Sequence, residues 1–181
     1  KLVSDTLTHK SDVGGVLLGL VDDAAVAAGW DRLVAANASH RPAGAMRGAL
    51  VQQMVSGTFE AVIGMTLDPQ FGPLLMAGLG GKLVELHHDV AFRLHPLTIE
   101  DATEMVDALR ARALFAGYRG APRGDRVAYE DALLRVSRLV GDRPEIIELD
   151  LNPVVVGAPG CGVTVVDARI RVCGSDTGRC G

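Results

Sequence analysis

Two stretches, EIIELDLNP (145–153) and VTVVDARIRV (163–172), carry the residue types with the most direct chemical use. Side chains alternate across an extended strand. In the first stretch Ile147, Leu149 and Leu151 therefore share one face, and Glu148, Asp150 and Asn152 share the other. The second stretch places Val163, Val165, Asp167, Arg169 and Arg171 on one face. If the connection runs over 157–162, residue 156 pairs with 163. That register sets Asn152 opposite Asp167, Asp150 opposite Arg169 and Glu148 opposite Arg171. A carboxamide facing a carboxylate offers two hard oxygen ligands, and Mg²⁺ takes one or two such groups together with waters and phosphate oxygens. A solvated sheet face carrying cross-strand ion pairs, each worth roughly 0.2–1 kcal/mol, fits the same spacing.

A second candidate is THKSDVGGVLLGL (8–20), where His9 and Lys10 precede Gly14 and Gly15. A neutral imidazole can accept a phosphoryl group, a lysine favours nearby negative charge, and paired glycines free the backbone. A polar turn before a buried strand explains the same residues. GPLLMAGLGGKLVEL (72–86) lacks both the GxGxxG order and the GxxxxGK[ST] order, so it reads as a glycine turn and not as a nucleotide loop. His87 and His88 are adjacent on an expected strand and point to opposite faces, which rules out one shared metal site. Arg93 and His95 share a face near a strand end, where they could hold an anion or serve in structural pairing.

These residues need elements to position them. Lys1 to Val3 reads as the tail of a strand whose beginning is missing, and 13–20 as a buried strand. Asp22 is placed to cap a helix over 22–38, with Val26, Trp30, Leu33 and Val34 on one face. Four strand-like runs follow: GALVQQMV, FEAVIGMTL, GPLLMAGL and LVELHHDVAFRL. Thr98 and Asp101 form a capping-box start for a helix to about Ala111. A second helix covers DRVAYEDALLRVSRLVG, with Gly141 placed to end it. The two chemistry-bearing strands then close the chain, and 173–181 reads as a loose tail. This order predicts an α+β domain with a largely antiparallel sheet covered by helices.

Composition narrows the function classes. The 181 residues have room for one domain with a sizeable core, and 48% apolar content argues against disorder. A net charge of −4 gives no basic footprint for nucleic acid. No apolar run is long enough to span a bilayer, and no signal peptide is visible. Three cysteines without metal spacing suit a reducing compartment, so a cytoplasmic location is expected. The excess of Arg over Lys reads as the bias of a G+C-rich genome.

Together KLVSDTLTHKSDVGGV, VQQMVSGTFEAVIGMTLDPQFGPLLMAGLGG, DVAFRLHPLT and the LDLNP/VDARI pair resemble, in order and spacing, the ATP-grasp domain of NDP-forming acyl-CoA synthetases. The resemblance runs from Lys1 to Val172 and implies a partial ATP-grasp domain over 1–172, its N-terminal part missing, followed by the tail 173–181. Members of that family interconvert acyl-CoA, ADP and phosphate with acid, CoA and ATP through phosphohistidine. By resemblance His9 is the histidine that carries the phosphoryl group to ADP, and Asp150 is an acidic position near that loop. Lys1 matches the strand lysine that reaches the nucleotide phosphates, and Gln52, Gln53, Met54 and Val55 match the segment lining the adenine pocket. Asn152 and Asp167 match the Mg²⁺ ligands. Glu60 and Arg93 fall in matching motifs without an implied role. The implied cofactors are Mg²⁺ and ATP or ADP, and the implied partners are the CoA-binding and CoA-ligase domains or subunit of the same enzyme. An alternative implied by the resemblance is a regulatory module of a GNAT protein lysine acetyltransferase, as found fused in bacteria.

Overall fold

The computed structural model describes residues 1–4, 13–39, 46–79 and 89–173. The chain forms two compact units, Lys1–Met54 and Val55–Gly181.

In the first unit a short strand β1 (Leu2–Ser4) pairs antiparallel with β2 (Met46–Ala49). Leu50 extends the pairing by hydrogen bonds in both directions with the backbone of Lys1, at 2.7 and 2.8 Å. Helix α1 (Asp23–Ser39) starts where expected, because the Asp22 carboxylate accepts the Ala25 N–H at 2.7 Å. Its buried face differs from expectation. Gly29 and Leu33 are buried, whereas Trp30 and Val34 are 47% and 42% exposed. Gly29 has no side chain, which lets the helix approach Leu17 and Leu20; a Cβ there would lie 3.3 Å from both.

The expected strand over 13–20 does not form. Residues 13 and 14 turn and 15–20 carry no strand pairing. Gly14 and Gly19 adopt positive φ, which breaks the extended path at both ends. Leu18 is 71% exposed, and among the described residues the backbone bond to a strand runs from Leu2 N–H to the Gly15 carbonyl. The GALVQQMV strand also ends early, at Ala49, and 50–57 follow without strand structure.

The second unit holds a six-stranded antiparallel sheet. Strands β3 (Phe59–Asp68), β4 (Gly72–Leu79), β5 (Val90–Leu94), β6 (Ile146–Val156) and β7 (Val163–Val165) take the order β5-β4-β3-β6-β7, and β8 (Ala168–Val172) also pairs with β6. The β3–β4 hairpin turns through DPQFG. The Asp68 carboxylate accepts the Gln70 and Phe71 N–H groups, and Gly72 supplies a φ of +81°.

Two helices cover one face. Helix α2 (Ile99–Ala108) begins with the expected capping box between Thr98 and Asp101. It stops at Ala108, short of Ala111, because Leu109 becomes extended and a 3₁₀ turn (Arg110–Arg112) follows. The buried Asp89 carboxylate explains that restart by accepting the Arg110 and Ala111 N–H groups at 2.7 and 2.8 Å. A four-residue helix, α3 (Ala113–Ala116), leads to α4 (Arg126–Asp142). Gly141 lies inside α4, not beyond its end. It allows close approach to His95, whose imidazole would lie about 3 Å from a Cβ placed there.

Residues 102, 105, 106 and 109, with 129, 133, 136 and 140, recur at helical spacing and are buried against Ile63, Met65, Leu75, Ala77 and Leu149. Tyr129 pins this layer to the sheet. Its hydroxyl donates to the Val62 carbonyl at 2.8 Å and accepts from the Gly78 N–H at 3.2 Å, and burial raises its pKa. Among the described residues no helix is long and apolar enough to cross a membrane.

Candidate functional site

The site candidates of the second unit lie on β6 and its partners, and a bulge orients them. Along β3 and β6, Ala61 pairs with Val154 and Ile63 with Leu151, so Asn152 and Pro153 both fall opposite Val62. This extra residue reverses the alternation of side chains along β6. Leu149 and Leu151 point to the helix-covered face before it, and Val154 and Val156 do so after it, as their pairing with Ile63 and Ala61 requires. Glu148 and Asp150 pair with Thr66 and Gly64 and so lie on the other face.

The register expected from the sequence is the register found. Val156 pairs with Val163, Asp150 with Arg169 and Glu148 with Arg171. Between the two ladders the Asn152 N–H donates to the Asp167 carbonyl at 3.1 Å, and the Val166 N–H donates to the Pro153 carbonyl at 3.0 Å. One part of the expectation needs correction. The closing stretch is two strands broken at 166–167, and Val163 packs with the core while Arg169 and Arg171 lie on the face of Asp150 and Glu148. The bulge in β6 forces this, since the strand alongside must reverse with it.

Asn152 and Asp167 are both exposed. The Asn152 carboxamide on β6 and the Asp167 carboxylate, in the break between β7 and β8 beside it, are hard oxygen donors, the chemistry that Mg²⁺ takes. Among the described residues no group of three or more His, Cys, Asp or Glu side chains gathers, so a donor set of Asn152 and Asp167 fits a cation that keeps water and phosphate oxygens as its other ligands. Asp150 is half-buried and its carboxyl is pushed above the usual range by burial first, then by Asp167 and Glu148; Arg169 opposes this. Glu148 differs from Asp150 in being neutralised, because Arg171 Nε and Nη2 approach its Oε2 at 2.9 and 2.7 Å.

The remaining candidates divide by unit. Lys1 lies at the start of β1, half-exposed, and Gln52, Gln53 and Met54 are exposed at the end of the first unit. Val55, half-buried, begins the second. Glu60 is exposed on β3 opposite Val155. Arg93 is bound to Glu104 at 3.2 Å, and His95 Nδ1 lies 3.1 Å from Ser137 Oγ, which gives both a structural occupation in place of an anion site. His9, Lys10, His87 and His88 lie outside the described residues, as does the tail from 174 onward.

Sequence reading missed Asp125. Its buried carboxylate accepts N–H groups from Ala128, Gly160 and Gly162, tying the start of α4 to the β6–β7 connection. The signal was present in GDRVAY, where an Asp precedes a helical pattern.

Comparison with known proteins gives the family. The chain is 45% identical over 171 residues to an ADP-forming acetate–CoA ligase I of Archaeoglobus fulgidus, covering 94% of this chain and 24% of that one. It is 42% identical to the beta subunit of an ADP-forming acetate–CoA ligase II of Pyrococcus furiosus, covering 94% of this chain and 72% of the subunit. Among solved structures, a dinucleotide-forming acetyl-coenzyme A synthetase 1 of Candidatus Korarchaeum cryptofilum superposes with a TM-score of 0.81 at 39% identity, over 96% of this chain and 75% of that one. That structure holds coenzyme A and Mg-AMPPCP, its phosphohistidine segment pointing towards the nucleotide-binding site. The chain thus spans about a quarter of a single-chain relative and about three quarters of a subunit. These relatives are acyl-CoA ligases and lend no support to the acetyltransferase alternative. Residues 1–172 match the ATP-grasp domain family over nearly the whole chain, and the chain belongs to that family.

Proposed function

We propose that this chain is the nucleotide-binding, phosphoryl-transferring part of an NDP-forming acyl-CoA synthetase. The overall reaction converts acyl-CoA, ADP and phosphate to acid, CoA and ATP. The observation that carries the reading is the facing Asn152/Asp167 pair, in the register a two-ligand Mg²⁺ site needs. Its support is the likeness to ligases that name ADP as their product and to a structure holding Mg-AMPPCP.

In this reading Asn152 and Asp167 hold Mg²⁺, which would shield the phosphate charge. Lys1 contacts the phosphates, and Gln52, Gln53, Met54 and Val55 line the place of the adenine. His9 carries the phosphoryl group: its imidazole nitrogen bonds to phosphorus as the donor's own bond to phosphorus breaks and the donor leaves with that electron pair, and the new N–P bond breaks in turn when an ADP β-phosphate oxygen takes the group to give ATP. A histidine on a loop that brings its cargo to bound ADP raises the local concentration of donor. Asp150 helps to hold the loaded loop. The remaining domains or subunit of the enzyme supply acyl-CoA handling.

The test is chemical. In the complete natural protein, incubation with labelled ATP and Mg²⁺ places acid-labile phosphate on His9. His9→Ala abolishes acyl-CoA-dependent ATP formation and leaves Mg·ADP affinity within about threefold, about 0.7 kcal/mol. Asp150→Asn slows transfer more than it weakens ADP binding. Full turnover by the His9 variant would overturn the relay.

A further inference from the structure

Strand β8 presents two arginines one pleat apart, and each faces a carboxylate of β6 in register. By sequence the two positions are equivalent, and cross-strand ion pairs are expected at both. The structure treats them differently. Arg171 is closed onto Glu148 through two of its nitrogens. Among the described residues the Arg169 guanidinium and the Asp150 carboxylate opposite it are not closed into a hydrogen bond or short ion pair, and Arg169 acts on Asp150 only through its charge. The open pair lies between the closed Glu148–Arg171 pair and Asn152/Asp167. It is thus one strand step, roughly 7 Å, from the proposed cation ligands.

Charge gives this arrangement a use. Two carboxylates, Glu148 and Asp150, share this face of β6, and a phosphoryl group arriving there meets their charge. Arg171 already neutralises Glu148. Arg169 is the guanidinium of β8 that is not closed onto its carboxylate, and its planar fork suits phosphate oxygens.

We propose that Arg169 is a phosphate-binding residue of the nucleotide site, contacting the terminal phosphoryl group that is transferred. The inference rests on the nucleotide site proposed above at Asn152/Asp167. An arginine contact to that group acts without a metal, whereas loss of a cation ligand acts only in its presence.

The experiment measures, by calorimetry on the complete protein, the affinities for ADP and for a methylene-bridged ATP analogue, each in Mg²⁺ and in EDTA. Arg169→Gln should lower affinity for the triphosphate analogue about tenfold or more in both media and change ADP affinity less than about threefold. Arg169→Lys should recover part of the loss. Arg171→Gln, which frees the Glu148 charge without removing a contact to the terminal phosphoryl group, should weaken both nucleotides alike and show no preference between them. Asp167→Ala should weaken binding in Mg²⁺ alone. Unchanged triphosphate affinity in Arg169→Gln, with the Asp167→Ala effect present, would overturn the role of Arg169 and leave the nucleotide site standing. Absence of nucleotide binding by the wild type, or of the Asp167→Ala effect, would overturn the site and with it the inference.

Discussion

Tyr129 shows how one side chain can serve packing and polarity together. Its ring lies in the helix layer near Phe115, at a centroid distance of 5.6 Å, and its hydroxyl reaches through to the backbones of β3 and β4. Removing the oxygen leaves the buried Gly78 N–H without that acceptor, and a buried unpaired donor costs about 1–3 kcal/mol. Tyr129→Phe should therefore lower unfolding free energy by about that amount in a denaturant titration, with no change in nucleotide affinity. The polar residues of the opposite face follow another logic. Glu148 is neutralised by Arg171, while the half-buried Asp150 carboxyl is pushed above its usual range by burial and by Asp167 and Glu148. The sheet holds Asp150 in place through β6 pairing on both sides, so its position depends on backbone and not on a side-chain partner.

Among the elements, α4 and the β6–β7 connection are joined by Asp125. Its carboxyl is held below the usual range, chiefly by the Gly162 N–H and also by those of Ala128 and Gly160; burial opposes this. A carboxylate whose pKa is depressed in the folded state stabilises above its unfolded pKa of about 3.9, and the contribution is lost as pH falls through the lower folded value. Asp125→Ala should cost about 2–4 kcal/mol near pH 7, from the lost cap and the unpaired amides. The difference from wild type should stay level down to about pH 5 and shrink below about pH 4. A gap that widened in acid would contradict the assignment.

The elements also show what the sequence could reveal. The β6–β8 register was legible because alternation fixes the faces and a short connection fixes the pairing. The reversal at Asn152 was not, since a bulge depends on how β3 meets β6. The apolar run 13–20 looked like a buried strand because hydrophobicity signals burial without naming a partner. The glycines at 14 and 19, with positive φ, decided against it. Helical spacing grouped Trp30 with Val26, Leu33 and Val34 on one face, yet the close approach at Gly29 turned the helix so that Trp30 stays at 47% exposure. At the site, residue types pointed to Asn152 and Asp167, but which arginine would close on its carboxylate depended on side-chain placement that spacing does not encode.

For the whole molecule, two compact units divide the candidate residues. Lys1 and 52–54 belong to the first, and Asp150, Asn152 and Asp167 to the second. Family membership extends over 1–172, while the chain accounts for 24% of the length of a single-chain ligase relative. The complete protein is therefore the object to test. The central claim is that the Asn152/Asp167 pair receives the cation that accompanies the nucleotide. The direct measurement is the affinity of the complete wild-type protein and its Asp167→Ala variant for ADP, with Mg²⁺ and with EDTA. The account predicts that the variant loses about tenfold or more in Mg²⁺, about 1.4 kcal/mol, and matches wild type in EDTA. Equal affinities for the two proteins in Mg²⁺ would contradict it.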